Sequence, residues 1–251
     1  PLRRVVSLVP SVTATLLELG AGDVLVGRTD YDTLPEVRSL PSVGGGIGPD
    51  LERLALLDPD LVVRFAGPSD ERTGRRLAEL NLAYLDVRPD QIADIFEIIE
   101  WLGHLTGRQA EAGALSRRLQ AELDSVRTAV QMRSPVRAVY LMGQDPSWTA
   151  GAGTYIHELL ELAGGVNVFA DLAQLYGAVS PEALATRDID VILLAPDARL
   201  DPRIAAGRRV YQLPHAIDLP GPQVAVAART VASGLHPAVF PSDTASVASV
   251  R

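Results

Sequence analysis

The sequence has no cysteine and no lysine, so all 23 of its basic residues are arginine. Without cysteine there is no disulfide, no thiolate chemistry and no cysteine-based metal site. Without lysine, Schiff-base catalysis and the lysine of a phosphate-binding P-loop are excluded. A cysteine-free chain suits oxidising and reducing spaces alike, so this absence does not fix the compartment.

Long apolar runs and catalytic motifs are also missing. No run of 18 apolar residues occurs, so no bilayer span is predicted. The glycine-rich segment Gly44–Gly48 does not complete a dinucleotide-binding motif, because Pro49 stands where the last glycine belongs; a flexible loop is the simpler interpretation. No set of acid, base and nucleophile can be assembled, so we expect no enzyme. The net charge of −8, without a basic cluster, argues against a nucleic-acid partner.

The most informative feature that is present is an internal repeat. Three pairs of segments share a pattern in the same order: Arg4–Leu8 with Arg137–Leu141, Leu16–Gly22 with Leu159–Gly165, and Glu52–Val62 with Glu182–Ile192. Strands alternate with helices within each copy, which is typical of a parallel α/β sheet. Two similar lobes in one chain enclose a cleft, where small molecules commonly bind.

The sequence therefore predicts an α/β fold of two similar lobes with parallel sheets, joined by one long helix. We predict an N-terminal lobe over 1–107, a connecting helix over 108–133 and a C-terminal lobe over 134–251. Apolar residues in the middle segment recur at helical spacing, at Ala112, Leu115, Leu119, Leu123, Val126 and Val130. A long surface helix within a single domain is the alternative. We expect the tail after Pro241 to be frayed.

Several segments carry a family resemblance. In chain order they are Arg4–Ser11, Leu17–Gly20, Val26–Gly27 with Tyr31, Asp50–Glu52, Asp58–Val62, Trp148–Gly151, Leu159–Asn167 and Val179–Glu182. These segments resemble the substrate-binding proteins of vitamin B12, haem and iron-siderophore ABC importers, and most closely the cobalamin-binding branch. The resemblance covers nearly the whole chain and is more specific for the family than for the ligand.

The resemblance implies a carrier rather than an enzyme. It implies a protein that captures a corrinoid in the interlobe cleft and delivers it to a permease dimer. It also implies a monomer without a resident cofactor, on the periplasmic or extracellular face of the cell membrane, with any signal or lipid anchor outside the printed sequence. A haem or ferric-siderophore carrier is the first alternative. A two-lobed enzyme acting on tetrapyrroles and a ligand sensor that docks no permease are the others.

Candidate ligand-binding residues lie where strands are predicted to end. Aromatic residues make up only 5% of the chain, and flat ring ligands bind against aromatic side chains. The candidates are Tyr31 after the second strand, Phe65 after the strand Leu61–Val63, Trp148 in the loop after the strand Ala138–Met142, Tyr176 before Val179, and His215 in a loop. The resemblance places tryptophan at the positions of Phe65 and Tyr176, and at a glycine of Gly44–Gly48, which leaves the ligand open.

The charged and histidine candidates each have two interpretations. His215 either contacts the ligand or supplies an imidazole to a metal; His104, His157 and His236 are interpreted as structural. Arg28 and Arg64 either meet an anionic group of the ligand or face solvent.

The matching residues Glu52 and Glu182 either complement the dipoles of their helices or, as the resemblance implies, dock one permease subunit each. The carboxylates of Asp58, Asp60, Asp188 and Asp190 are interpreted as caps at helix-to-strand turns.

Overall fold

The computed structural model describes residues 2–67, 70–144, 147–196 and 198–241. The chain divides into two compact units. The first comprises Pro1–Pro89 and Ala93–Arg118, and the second comprises Asp90–Ile92 and Leu119–Arg251. Each unit contains a four-stranded parallel sheet, which confirms the predicted fold class. Within the described ranges, no helix is both long enough and apolar enough to cross a membrane.

The first unit alternates strands and helices from its beginning. Its elements are β1 (Val5–Ser7), α1 (Pro10–Glu18), β2 (Leu25–Gly27), α2 (Leu51–Leu56), β3 (Leu61–Phe65), α3 (Glu71–Glu79), β4 (Tyr84–Val87) and α4 (Ile92–Thr106). The strands lie in the order β2-β1-β3-β4. Val6 and Val62 of the central strands are fully buried, and Leu54 of α2 and Leu77 of α3 pack with them in one apolar core. Asp50 caps α2, because its side chain accepts hydrogen bonds from the backbone nitrogens of Glu52 and Arg53.

A long helix, α5, leads into the second unit. The elements that follow the first eight are α5 (Gln109–Val130), β5 (Val136–Leu141), β6 (Ser147–Ala150), α6 (Tyr155–Leu162), β7 (Gly165–Asn167), β8 (Tyr176–Val179), α7 (Pro181–Thr186), β9 (Val191–Leu194), α8 (Pro202–Ala205), β10 (Arg209–Gln212) and α9 (Val224–Leu235). The parallel strands lie in the order β10-β9-β5-β7, and β6 pairs with β8 in a separate antiparallel sheet.

The sequence repeat corresponds to a repeat of topology. Counted from the first strand of each unit, both parallel sheets have the order 2-1-3-4. The registers agree as well: Val5 pairs with Leu61 in the first sheet, and Ala138 pairs with Val191 in the second. The repeated segments therefore occupy equivalent strands.

The repeated aspartates have a different role from the one predicted. Asp60 Oδ2 accepts hydrogen bonds from the backbone nitrogens of Arg3 and Arg4, each at 2.9 Å. Asp190 Oδ2 accepts from the backbone nitrogen of Arg137 at 3.0 Å. These carboxylates hold the start of the first strand of each unit beside the third strand, so the prediction that they cap helix-to-strand turns was wrong for both.

Helix α5 agrees with the predicted periodicity. Its six apolar residues at helical spacing are all buried. The division between the units falls after Arg118, so α5 contributes residues to both. The boundaries at 107 and 134 stay a prediction.

The second unit contains elements that the sequence did not predict. Strands β6, β7, β8 and β10 and helix α8 were missed. Trp148 lies in β6, and not in a loop as predicted, while His215 begins a short 3-10 helix, His215–Asp218. The prediction of a frayed tail falls on 242–251, which lie outside the described residues.

Candidate functional site

Tyr31 projects from a tightly bonded turn after β2. Asp32 Oδ2 accepts hydrogen bonds from the Thr29 backbone nitrogen at 2.8 Å and from the Thr29 hydroxyl at 2.7 Å, and both residues are buried. The Thr29 hydroxyl oxygen in turn accepts from the backbone nitrogen of Tyr31. The Tyr31 side chain is 69% exposed. A large ring is therefore presented to solvent from a fixed backbone.

The glycine-rich segment passes beside this turn. The Asp30 backbone nitrogen donates to the Gly44 carbonyl at 2.9 Å. A Cβ on Gly46 would lie 2.5 Å from the carbonyl oxygen of Leu8, so no larger residue fits there without movement of the backbone. The glycines thus permit a close approach of two backbone segments, which is more specific than the flexible loop that we predicted.

Phe65 ends β3, as expected from its position after Leu61–Val63, and it is partly exposed. Because β1 and β3 are parallel, their carboxyl ends lie at one edge of the first sheet, where open α/β sheets bind ligands. The loop that carries Tyr31 follows β2 of the same sheet, so both predicted aromatic residues of the first unit follow carboxyl ends of its strands.

Arg64, next to Phe65, does not fit either of its predicted roles. Its side chain is buried, its Nη1 donates to the Asp70 carbonyl at 2.7 Å, and its Nε lies 2.6 Å from Asp86 Oδ1. A Cβ on Gly74 would lie 2.7 Å from Arg64 Nη2, so this glycine leaves room for the guanidinium. Arg64 is a structural ion-pair residue. Arg28 is partly buried, and its Nη1 donates to the Thr29 carbonyl.

Trp148 and Tyr176 form an exposed aromatic pair in the second unit. In the antiparallel register Trp148 pairs with Ala178, and Ala150 pairs with Tyr176, so the two rings lie diagonally on one face. Side chains in this relation are within reach of each other when they are aromatic. Trp148 is 45% exposed and Tyr176 is 38% exposed, whereas Thr149 and Val179 on the opposite face are buried.

The sheet that carries this pair is fixed to β5. The Thr149 hydroxyl donates to the Tyr140 carbonyl at 2.6 Å, and the backbones of Met142 and Trp148 exchange two hydrogen bonds. Strand β6 therefore continues from the carboxyl end of β5, with backbone hydrogen bonds between Trp148 and Met142 on one side and pairing with β8 on the other. This rigidity suits a surface that stacks against a flat ligand.

A buried group of tyrosines surrounds Asp218, and sequence reasoning missed it. The Tyr140 hydroxyl donates to Asp218 Oδ1 at 2.7 Å. The Tyr155 hydroxyl is buried without a hydrogen-bond partner among the described residues. Burial, and then the Asp218 charge, raise the pKa of both phenols, while burial and then Asp90 raise the pKa of Tyr176. These phenols stay protonated at neutral pH. In the sequence, Tyr140 and Tyr155 lie within apolar strand and helix patterns. These patterns indicate core positions and give no sign of a polar group around Asp218.

His215 lies at the edge of this group. Its Nδ1 is 3.9 Å from Asp218 Oδ2, and its side chain is 74% exposed. Across the described ranges, no three His, Cys, Asp or Glu side chains are grouped so that they could hold a metal ion. Of the other histidines, His104 and His157 lie in helices, and His236 follows the last residue of α9.

Glu52 and Glu182 occupy equivalent places in the two units. Each is an exposed residue in the first turn of its helix, α2 or α7. The Glu182 backbone nitrogen and the Ser180 hydroxyl hold the pKa of the Glu182 carboxyl below its usual range. Their assignment to permease docking stays a prediction.

A cavity of about 690 Å³ opens in the second unit, near the carboxyl ends of its sheet. Seven of its ten described lining residues have apolar side chains, and the polar side chains are those of Gln144, Arg199 and Gln212. None of these three residues was a candidate in the sequence, because isolated polar residues in loops have no distinguishing pattern.

The profile of the periplasmic binding protein family matches residues 5–208. The chain belongs to this family. A vitamin B12-binding protein of Vibrio cholerae serotype O1 is 28% identical over 199 residues, which cover 79% of this chain and 72% of that protein.

Solved structures of periplasmic binding proteins have the same fold. The crystal structure of the periplasmic vitamin B12 binding protein of Vibrio cholerae matches with a TM-score of 0.80 and 25% identity, over 96% of this chain and 99% of that one. The apo form of a periplasmic heme-binding protein from Roseiflexus sp. RS-1 matches with a TM-score of 0.77 and 24% identity, over 95% and 100% of the two chains. The second likeness concerns the fold alone.

Proposed function

We propose that this periplasmic binding protein is the substrate-binding component of an ABC importer, that it captures a corrinoid, and that it delivers the corrinoid to a permease dimer. It acts as a monomer on the periplasmic or extracellular face of the membrane and catalyses no reaction. The observation that carries the choice of ligand class is the exposed pair Trp148 and Tyr176 on a rigid two-stranded sheet. Relatives named for vitamin B12 support the choice among ring ligands.

The arrangement suits a large planar ligand. Aromatic rings gain most from contact with flat apolar area, and Tyr31 and Phe65 supply further aromatic surface near the carboxyl ends of the first sheet. Most small ligands would be covered by one ring. Within the second unit alone, two neighbouring rings on one face of a sheet favour a ligand with a flat surface as large as that of a tetrapyrrole.

A haem carrier is the second candidate, and His215 is the observation that favours it. An exposed imidazole is available to ligate iron. The raised pKa of the Tyr140 and Tyr155 phenols works against phenolate ligation by these two residues.

A comparison of ligands tests the proposal. The purified protein is mixed separately with cyanocobalamin, cobinamide and haemin, each at the same concentration, and the protein fraction is separated by gel filtration. We expect both corrinoids to co-elute with the protein, and we expect less haemin than corrinoid in the protein fraction. Co-elution of haemin alone with the protein would instead support the haem carrier, provided that the complex shows a sharp Soret absorbance band and that His215→Ala loses this band.

A further inference from the structure

The cavity of the second unit is built from the ends of three strands and the loops that follow them. Strand β9 ends at Leu194 and β10 ends at Gln212, and both residues line the cavity, as does Gln144 shortly after β5. The volume of about 690 Å³ is within the range of small-molecule sites. This place at the carboxyl edge of a parallel sheet is where open α/β units bind ligands.

Apolar side chains and polar groups share the walls of the cavity, and the side chain of Gln212 fixes one loop of these walls. Leu194, Leu200, Val210 and Ala205 contribute apolar surface. The Gln212 amide nitrogen donates to the carbonyl oxygens of Ala195 and Pro196. The loop after β9 is therefore tied to β10, and the amide donors of Gln212 are occupied by this task.

Arg199 is the charged residue among the described lining residues of the cavity. It differs from the neighbouring arginines in its hydrogen-bond and ion-pair partners. Arg203 forms a two-pronged ion pair with Asp201, Arg208 donates to the carbonyls of Ile204 and Leu184, and Arg209 donates to the carbonyl of Leu235. Arg199 is exposed, and it has no ion pair or hydrogen bond within the described ranges. No acidic side chain is among the described lining residues.

We infer that this cavity binds an amphiphilic organic anion, with a carboxylate, phosphate or sulfonate at Arg199 and an apolar body against Leu194, Leu200 and Val210. A guanidinium binds such groups through charge-assisted, often paired, hydrogen bonds. The apolar walls favour a hydrocarbon or ring body, because its removal from water is favourable. The cavity is distinct from the proposed corrinoid surface, because its described lining does not include Trp148, Tyr176 or His215.

A matched pair of fluorescent dyes tests this inference. 8-Anilinonaphthalene-1-sulfonate has an apolar body and one sulfonate, and N-phenyl-1-naphthylamine has the same rings without the charge. The test variant is Arg199→Gln, and the control is Arg203→Gln, which removes the same charge from the adjacent helix. Since Arg199 is exposed, we expect Arg199→Gln to weaken binding of the sulfonate by about fivefold. Binding of the neutral dye and both affinities of the control should remain unchanged.

A second variant locates the dye. Ala205 is a buried lining residue, and Ala205→Leu should lower the affinity of both dyes because it fills part of the cavity. The inference would be overturned if Arg199→Gln bound the sulfonate dye as the wild type does, or if it lost affinity for both dyes equally. It would also be overturned if a folded Ala205→Leu protein bound both dyes with full affinity. None of these results concerns cyanocobalamin binding, so failure here is distinct from failure of the proposed function.

Discussion

At the scale of single residues, both tryptophans are exposed to solvent, whereas tryptophan side chains are usually buried to a large extent. Trp148 is 45% exposed on β6 and Trp101 is 43% exposed on α4. Trp148 shares one face of a rigid sheet with Tyr176, whereas Trp101 lies on a helix. The proposed function therefore depends on the first and not on the second, which makes Trp101 a matched control.

We expect Trp148→Ala to weaken cyanocobalamin binding by about tenfold, because it removes the larger ring of the exposed pair. Trp101→Ala should bind as the wild type does. The measurement is a fluorescence or calorimetric titration of both variants. Equal affinities of the two variants would remove Trp148 from the ligand site.

Arg64 shows how a residue near a candidate site can be structural. Its guanidinium lies between Asp70, which is buried, and Asp86, which is partly exposed. Arg64→Met should lower the free energy of unfolding by about 3 kcal/mol, because it leaves the Asp70 carboxylate buried without its partner. Asp86→Asn should cost less, since its carboxylate reaches water. Urea unfolding followed by circular dichroism measures both, and a larger loss for Asp86→Asn would contradict this account.

At the scale of elements, in each unit the backbone at the start of the first strand donates to the carboxylate of an aspartate that precedes the third strand of the parallel sheet. These hydrogen bonds explain why such short strands keep their register. The Asp190 carboxylate accepts two further hydrogen bonds from the Arg137 side chain, at Nε and Nη2. The Arg137 side chain first, and its backbone nitrogen as well, hold the pKa of Asp190 below its usual range. A carboxyl with a lowered pKa in the folded state stabilises that state above its ordinary pKa, and this contribution is lost as the pH falls through the folded value.

The difference in Tm between the wild type and Asp190→Asn should thus be largest at neutral pH and should shrink below about pH 4. Thermal unfolding at a series of pH values from 7 to 3 measures it. Asp23→Asn, at an exposed position outside these ties, serves as the control with little effect at any pH. A Tm difference that stayed constant over this range would mean that the charge of Asp190 does not contribute.

Elements with strong periodicity could be predicted from the sequence, and short elements could not. The repeat and the spacing of α5 were sufficient because several residues contribute to each signal. Strands β6 and β8 have four residues each, both contain alanine and β8 also contains glycine, and the two strands are separated in the chain. Their pairing depends on the attachment of Thr149 to Tyr140, a tertiary contact that no local pattern indicates. The sequence could predict Trp148 and Tyr176 as candidate ligand-binding residues, but it could not predict that they share one face of a sheet.

At the scale of the whole molecule, the repeat gives each unit one exposed glutamate at the start of an equivalent helix. We propose that Glu52 and Glu182 each contact one subunit of a permease dimer, since matched charges orient a partner and raise the association rate. The double variant Glu52→Arg with Glu182→Arg should abolish uptake of labelled cobalamin by cells that contain the importer, while binding of the ligand in solution is unchanged.

Glu71 provides the control for this prediction. It also lies in the first turn of a helix, α3, and is exposed, but it has no counterpart in the repeat. Glu71→Arg should leave uptake intact. Normal uptake by the double variant would show that the two glutamates only complement the dipoles of their helices.

The most direct test of the central claim is a calorimetric titration of the wild-type protein with cyanocobalamin. We predict saturable binding of one ligand per chain, with an affinity in the submicromolar range that an importer needs at low ligand supply. The absence of saturable heat, with unchanged thermal stability in the presence of excess ligand, would contradict the corrinoid assignment and leave only the family and its fold.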